Sequence, residues 1–520
     1  MPLYHCLAVL LLAAVAALPV RGAQDRPNIV FLFSDDHAYQ SVSAYGHGLN
    51  VTPHIDRLAK EGMRFDRCYV TNSLCGPSRA CILTGKYSHK NGFYSNRSRF
   101  DGGQQTFPKL LQKAGYQTAL IGKWHLVSRP TGFDHWEILP GQGRYYSPQF
   151  TTAETFGKKP DRVAEPGYVT DVITDKALHW LREQRDADRP FMIMIQHKSP
   201  HREWSPGPEH VADFTGVKIP EPATLFDDYA NRADAARMAT MRISDLRLDT
   251  DLKLFTEEDP RGKRMFRLMD GEQKAAWVAA YEEENEEFRN SPPEGEELIR
   301  WKYQRFIKDY LRTVQSVDDN VGRVLDYLDQ AGLADSTVVV YASDQGFYLG
   351  EHGWFDKRFM YEQSLRTPFL VRWPGVTKPG SIEGRIVSNL DFAETFLDVA
   401  GVEVPADMQG RSLVPILAGS PPEDWRTSFY YHYYEGPPAE HAVAEHYGVT
   451  DGRYKLIHYY KLGQWELFDL VTDPHEMNSV YGQPDYAAPR QRLEEELARL
   501  RSELEVTSDD PPPRRKGANG

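Results

Sequence analysis

Short runs of consecutive apolar residues alternate along this chain with stretches whose apolar positions recur every three or four residues. Asn28–Phe33 (NIVFLF) is the first run and ends in Ser34-Asp35-Asp36. Its length and continuous apolarity predict a buried strand. Gln117–Ile121, Phe191–Ile195, Thr337–Tyr341 and Pro368–Trp373 read the same way. Between them, Thr52-Pro53 precedes Ile55, Leu58 and Ala59 in a helical pattern that closes at Gly62. The series Val314, Val317, Val321, Val324, Leu325 and Leu328 marks one face of a longer helix. Strands alternating with helices predict an α/β fold: a large, mainly parallel sheet with helices on both faces. Ligands of such sheets bind beyond the carboxyl ends of the strands. Four of the predicted strands end in polar groups: Asp35-Asp36, Lys123-Trp124-His125, His197 with His201, and Asp344-Gln345.

The pattern also divides the chain. Residues 24–420 carry the strand–helix alternation. Within them, residues 206–293 are rich in Asp, Glu, Arg and Ala and are expected to form a helical, solvated insertion that could shape the rim of a site. Residues 421–505 change character: Phe429–Tyr434, Tyr454–Tyr460 and Trp465–Leu470 are aromatic β-favouring runs separated by turn residues. A helix with Leu493, Leu497, Leu500 and Leu504 on one face follows them. A smaller C-terminal α+β subdomain with an antiparallel sheet is expected, its aromatics mostly filling a core. Residues 506–520, which include Pro511-Pro512-Pro513, are expected to form a disordered tail. Residues 1–23 read as a signal peptide, although no Lys or Arg precedes the apolar run Leu7–Val20. That run is short for a membrane span. Export to the periplasm or the extracellular space, without stable membrane insertion, is the expectation.

Composition narrows the partners. Of 520 residues, 41% are hydrophobic and 26% charged, as in an ordinary globular enzyme. A formal net charge of −13 argues against nucleic acid. It leaves room for a small anion in a locally positive pocket. Loss of the signal would remove Cys6 and leave Cys68, Cys75 and Cys81, an odd number that singles out one thiol. Cys68 and Cys81 either pair or lie buried as free thiols.

Asp35, Asp36 and Asp344 offer hard anionic oxygens, and Gln345 adds a neutral amide oxygen; the set suits Ca²⁺, with Mg²⁺ as the alternative. Asp after a strand is more often a turn former or a helix cap, so either motif alone says little. The informative stretch is Cys75-Gly76-Pro77-Ser78-Arg79, which opens CGPSRACILTG and runs into Lys86-Tyr87.

Taken in order, strand–Asp-Asp, C-x-P-S-R, Gly-Lys-Trp-His, Lys-Ser-Pro-His, Ser-Asp-Gln-Gly and Asp-Lys-Arg make the chain resemble type I, formylglycine-dependent sulfatases of the alkaline-phosphatase-like superfamily. The resemblance spans nearly the whole chain after residue 23. It implies that a maturation enzyme oxidises Cys75 to formylglycine, whose hydrate attacks sulfur and then ejects sulfate. It implies a Ca²⁺ held by Asp35, Asp36, Asp344, Gln345 and the oxidised residue 75. Gln345 departs from the Asn common in the family and adds a methylene. By the same resemblance Lys123 and Lys357 hold the sulfate and Arg79 braces the hydrate. His125 takes a proton during sulfate release, and His201, also in contact with substrate, protonates the departing sugar oxygen. A helix starting after Pro77 would point its positive end at this site. His197 is expected to be structural, and His37 and His352 to be pocket neighbours without an assigned role.

Gly346–Thr367, His441–Tyr447, Tyr454–Tyr460 and Thr84–Tyr87 look most like bacterial N-acetylglucosamine-6-sulfatases. The implied substrate is a 6-O-sulfated N-acetylglucosamine in glycosaminoglycan or mucin fragments. Asp356 and Arg358, which flank Lys357, would meet sugar hydroxyls, unless they are exposed salt-bridge partners. Two other activities fit the same residues: a phosphate or phosphonate monoester hydrolase, and a carbohydrate-binding protein whose Cys75 is never oxidised.

Overall fold

The computed structural model describes residues 26–512. Its main sheet comprises ten strands among the described residues. In chain order these are β1 (Asn28–Ser34), β2 (Met63–Phe65), β3 (Gln117–Lys123), β4 (His135–Leu139), β5 (Gln149–Thr152), β6 (Val163–Ala164), β7 (Phe191–Gln196), β8 (Thr337–Ser343), β9 (Phe369–Arg372) and β10 (Ser381–Glu383). Across the sheet they run β10-β2-β9-β8-β1-β7-β3-β4-β5-β6. The five central strands, β8 to β4, are mutually parallel. The expected mainly parallel α/β sheet is therefore present; β5 pairs antiparallel to β4 and β6, and β9 antiparallel to β8 and β2. The apolar pattern of β9 could not reveal this, because a strand buried on both faces looks alike in either direction.

Side chains of the central strands alternate between two cores. Phe31, Phe33, Leu120, Met194 and Val340 point to one, and Val30, Leu32, Ile121, Ile193 and Val339 to the other. The first face is covered by α2 (Cys75–Thr84), α3 (Phe107–Lys113) and α7 (Asp391–Val399), the second by α1 (Pro53–Glu61), α4 (Val169–His179) and α6 (Gly295–Gln330). In α6 the expected stripe of Val314, Val317, Val321, Val324, Leu325 and Leu328 is fully buried. Each such side chain contributes about 1.5–3 kcal/mol.

The 206–293 segment is only partly helical. Its long helix is α5 (Gly271–Asn290), and much of 206–259 is turns and irregular chain. It is not wholly solvated either. Leu225, Ala235, Ala236, Met241, Ile243 and Leu252 enter a third core with Trp204, Phe306 and Trp354. Apolar residues spaced without a period gave no signal of this burial.

At the C-terminal end, β11 (Phe429–Tyr433), β12 (His446–Thr450), β13 (Tyr454–Tyr459) and β14 (Gln464–Asp469) form an antiparallel sheet, and α8 (Ala487–Glu503) packs on it. Tyr431, Tyr433, Tyr459 and Phe468 fill the core. Residues 506–512, expected within a disordered tail, fold back: Arg501 pairs with Asp509 at 2.5 Å, and Lys461 with Asp510 at 2.6 Å. Residues 513–520 and the expected signal peptide lie outside the described residues. Cys68, Cys75 and Cys81 are all buried free thiols.

Register brings the strand ends together. Ser34 pairs with Ser343, Phe33 with Gln196, and Gln196 with Gly122. Gly122 is required at its position: its φ is 110°, and a Cβ there would sit 2.0 Å from the Gln196 carbonyl oxygen. Gly122→Ala is expected to lower stability by more than about 1 kcal/mol and to spread β3 from β7. An unchanged denaturant midpoint would contradict this packing.

Candidate functional site

Each strand delivers its first polar residues just past the last ladder pair, so β8, β1, β7 and β3 present theirs side by side. Asp35 and Asp36 follow β1, Asp344 and Gln345 follow β8, Lys123 ends β3, and His197 to His201 follow β7. Ligand oxygens of Asp35, Asp36 and Asp344 lie within 4.8 Å of one another, all buried. The Asp36 amide N–H donates to Asp344 Oδ1 at 3.0 Å, and its carbonyl accepts from Tyr310 at 2.7 Å. These bonds hold Asp36 at φ 64°, a conformation unusual outside glycine.

Cys75 is the first residue of α2. This corrects the expected helix start after Pro77: the proline sits in the first turn, where an amide N–H would lack a helical partner anyway. Helix α2 is buried along its whole length. It is anchored by Gly76 N–H on Asn96 Oδ1 at 2.9 Å and by Asn389 Nδ2 on Ser78 Oγ at 2.9 Å. The Cys75 thiol points at Asp36 Oδ1 from 3.9 Å, and Gln345 Nε2 is 3.8 Å from its sulfur. Burial holds the thiol well above its ordinary pKa, against the pull of Lys123 and Lys357.

Three cations face the three carboxylates. Lys357 Nζ donates to both Asp36 oxygens at 2.6 Å, and Lys123 Nζ pairs with Asp35. Arg79 donates from Nη2 and Nε to Asp344 Oδ2 at 2.9 and 3.1 Å, and from Nη1 to the Lys123 carbonyl at 2.9 Å and Gln196 Oε1 at 2.6 Å. Burial raises the Asp35 carboxyl, but Lys123, His201 and Arg79 outweigh it and hold the group well below the usual range. Asp344 goes the other way. Burial and then repulsion from Asp35 push it up to about 7, despite Arg79.

The residues fit a divalent cation. Asp35 Oδ1 and Gln345 Oε1 are buried without a hydrogen-bond partner, beside two further carboxylates. The Gln345 amide turns Nε2 toward Asp36; half a turn would present Oε1 to the same point.

The two expected proton-transfer histidines differ in setting. His201 Nδ1 is 2.7 Å from the Arg202 carbonyl, which can only accept, so Nδ1 carries the proton. Its Nε2 faces the centre, 3.7 Å from Asp36 Oδ2. The 206–293 segment fixes this loop: Asp251 takes Arg202 in a two-pronged pair at 2.8 and 2.7 Å, and Lys253 Nζ donates to the Glu203 and Trp204 carbonyls at 2.8 and 3.0 Å. His125, at φ 55°, lies in the field of Lys123, Asp35, Arg79 and Lys357, with a buried, unpartnered Nδ1. Burial, then Lys123, lowers the pKa of both rings well below the ordinary value.

Asp356 and Arg358 are not exposed. They pair with each other at 3.1 Å, and Asp356 also faces His441 at 3.3 Å. Both adopt positive φ, 78° and 95°, on either side of Lys357. His352, expected beside the pocket, instead bonds Asp227 at 3.1 Å and Arg232 at 3.0 Å, away from the carboxylates. His37 is buried against Tyr341 at 2.5 Å, and His197 bonds Thr174 at 3.1 Å. Lys198 carried no expectation of its own, although it opens Lys-Ser-Pro-His. It lies 4.5 Å above the Tyr145 ring, and burial, then Lys123, lowers its pKa to about 7.

A buried carboxylate–lysine–thiol centre at the carboxyl edge of such a sheet has the position and the perturbed titrations of an enzyme site. Comparison with known proteins agrees. A family model described as "Sulfatase" matches residues 27–402, and one described as "N-sulphoglucosamine sulphohydrolase, C-terminal" matches residues 350–503. An N-acetylglucosamine-6-O-sulfatase of Bacteroides thetaiotaomicron is 51% identical over 97% of this chain and 91% of its own length. The Homo sapiens N-acetylglucosamine-6-sulfatase is 28% identical over 82% of this chain and 71% of its own. The solved structure of BT4656 with its substrate D-glucosamine-2-N,6-O-disulfate superposes with a TM-score of 0.90 at 50% identity, covering 93% of this chain and 99% of that one. The chain belongs to the sulfatase family, within the alkaline-phosphatase-like superfamily, and is a sulfuric ester hydrolase.

Arg79→Met would leave Asp344 buried without its partner. Stability is expected to fall by about 3–5 kcal/mol, read as a shift of the denaturant midpoint; a midpoint within error of the parent would refute the network.

Proposed function

We propose that this chain removes the 6-O-sulfate from N-acetylglucosamine, or its N-sulfated counterpart, in glycosaminoglycan or mucin fragments. One juxtaposition carries the proposal: Cys75 Sγ stands 3.9 Å from Asp36, with Lys357 on the same carboxylate and His201 at its outer side. The likeness to the Bacteroides enzyme, which runs through the C-terminal sheet, supports the substrate class.

Matured to formylglycine by a dedicated enzyme, residue 75 would supply an aldehyde hydrate as nucleophile, and a bound Ca²⁺ or Mg²⁺ would supply positive charge at the sulfate. Asp35, Asp36, Asp344, Gln345 and the modified residue 75 would hold that cation. Lys123 and Lys357, whose ammonium groups lie on Asp35 and Asp36, bind the sulfate oxygens. Arg79, fixed by four hydrogen bonds to Asp344, Gln196 and the Lys123 carbonyl, would brace the hydrate formed at residue 75. His201 Nε2 carries a proton to the departing sugar oxygen. An anionic ester beside it raises its depressed pKa toward the working range. His125 accepts a proton at its unpartnered Nδ1 when sulfate leaves. Asp356 and Arg358, locked by His441, meet sugar hydroxyls. The apolar run Leu7–Val20 supports export, and no helix among the described residues is long and apolar enough to cross a membrane.

The Cys75 peptide of active protein should weigh about 18 Da less than its thiol form, the difference between thiol and aldehyde; an active enzyme with unmodified Cys75 would overturn the proposal. His201→Ala should cost about 10²-fold or more on a sugar sulfate and clearly less on an aryl sulfate with a good leaving group. Equal losses would remove His201 from the proton-donor role.

A further inference from the structure

Beside His201 the protein opens a cleft of about 550 Å³ lined by Arg144, Arg202, Arg247, Arg261, Arg264 and Arg267, with Lys198 at its inner end. Four of these arginines come from the 206–293 segment. The chain as a whole carries −13, so this concentration of guanidinium groups runs against the global balance. Some of the charge is spoken for: Arg202 is paired with Asp251 and Glu440, Arg247 with Asp251, and Arg261 with Glu203. Arg144, Arg264 and Arg267 have no carboxylate at ion-pair distance among the described residues, although Glu440 also lines the cleft. The Arg144 Nη2 donates to the Ser147 carbonyl at 2.8 Å, while its Nε is buried and unpartnered. Arg144 and Arg267 are close enough to repel, as are Arg261 and Arg264. The like charges left over from these pairs cost free energy that a bound anion would recover.

We propose that this cleft is a second anion subsite, which holds a sulfate or carboxylate on the sugar side of the scissile ester. The proposal rests on the carbohydrate 6-sulfatase reading above. His201 connects the two places: its Nε2 faces the buried centre, and its ring lines the cleft. The sugar that departs past His201 therefore extends toward the arginines. Planar guanidinium forks match the paired oxygens of sulfate and carboxylate. The anion has two sources, an N-sulfate on the same glucosamine or the carboxylate of a uronate linked to it.

The test compares the parent with Arg264→Gln/Arg267→Gln on three substrates: N-acetylglucosamine 6-sulfate, glucosamine-2-N,6-O-disulfate, and a disaccharide of 6-sulfated glucosamine linked to a uronate. In the double variant, kcat/KM on a substrate with a second anion, relative to the mono-sulfated sugar, should fall about tenfold, mainly through KM. Added salt should erode the parent's preference in the same direction. A fall on the disulfate assigns the anion to the same sugar; a fall on the disaccharide alone assigns it to the neighbouring uronate. An unchanged ratio on both would overturn the subsite. Calorimetry with an N-sulfated uronate–glucosamine disaccharide lacking the 6-sulfate gives a readout independent of turnover. The parent should bind it about tenfold more tightly than the variant, and equal binding would overturn the subsite even if the parent hydrolysed none of the three esters.

Discussion

Three carboxylates share one dry point in this molecule, and the rest of the centre follows from that constraint. Asp35, Asp36 and Asp344 lie at the ends of two adjacent parallel strands, where register leaves them no room to separate. Ionised together without compensation they would repel strongly in a low-dielectric interior. Lys123, Lys357 and Arg79 offset them one for one, yet Asp344 still titrates near 7. A divalent cation among the carboxylates would draw all three into the ionised state. The two lysines would then be in excess and available to an anionic ester. Cation and sulfate are in this way complementary: each makes the other electrostatically acceptable in the same cavity.

Around this centre the work is divided by depth. The buried layer comes from strand ends and the start of α2, elements packed on both faces and fixed by ladder register. The outer layer comes from the 206–293 segment and the C-terminal region, which supply Asp251 and Lys253 to hold the His201 loop, His441 to orient Asp356, and the arginines of the cleft. Chemistry rests on the rigid layer. The outer layer is built largely from loops, the kind of segment that commonly carries specificity on a stable sheet.

The buried layer was legible in the sequence because continuous apolar runs mark strands and the residues after them mark their ends. Asp35, Lys123, His201 and Asp344 could be placed at one sheet edge before any coordinate was known. What stayed hidden has identifiable causes. The antiparallel direction of β9 leaves no trace in an apolar run. The burial of Leu225, Met241 and Leu252 arises from irregular chain with no period to detect. His352 sits near Lys357 in sequence, but the left-handed turn at residues 350–353 carries it to Asp227. Lys198 has no sequence signal of its own, because a lone lysine is ordinarily a surface charge; only the Tyr145 ring and the approach of Lys123 distinguish it.

The most direct test of the carboxylate account is thermal unfolding of chelator-treated protein as Ca²⁺ is added back. The account predicts a rise in Tm that saturates with Ca²⁺, worth about 2.7 kcal/mol at one hundred times Kd, and a much smaller rise in Asp35→Asn. A Tm indifferent to Ca²⁺ and Mg²⁺ in the parent protein would contradict it.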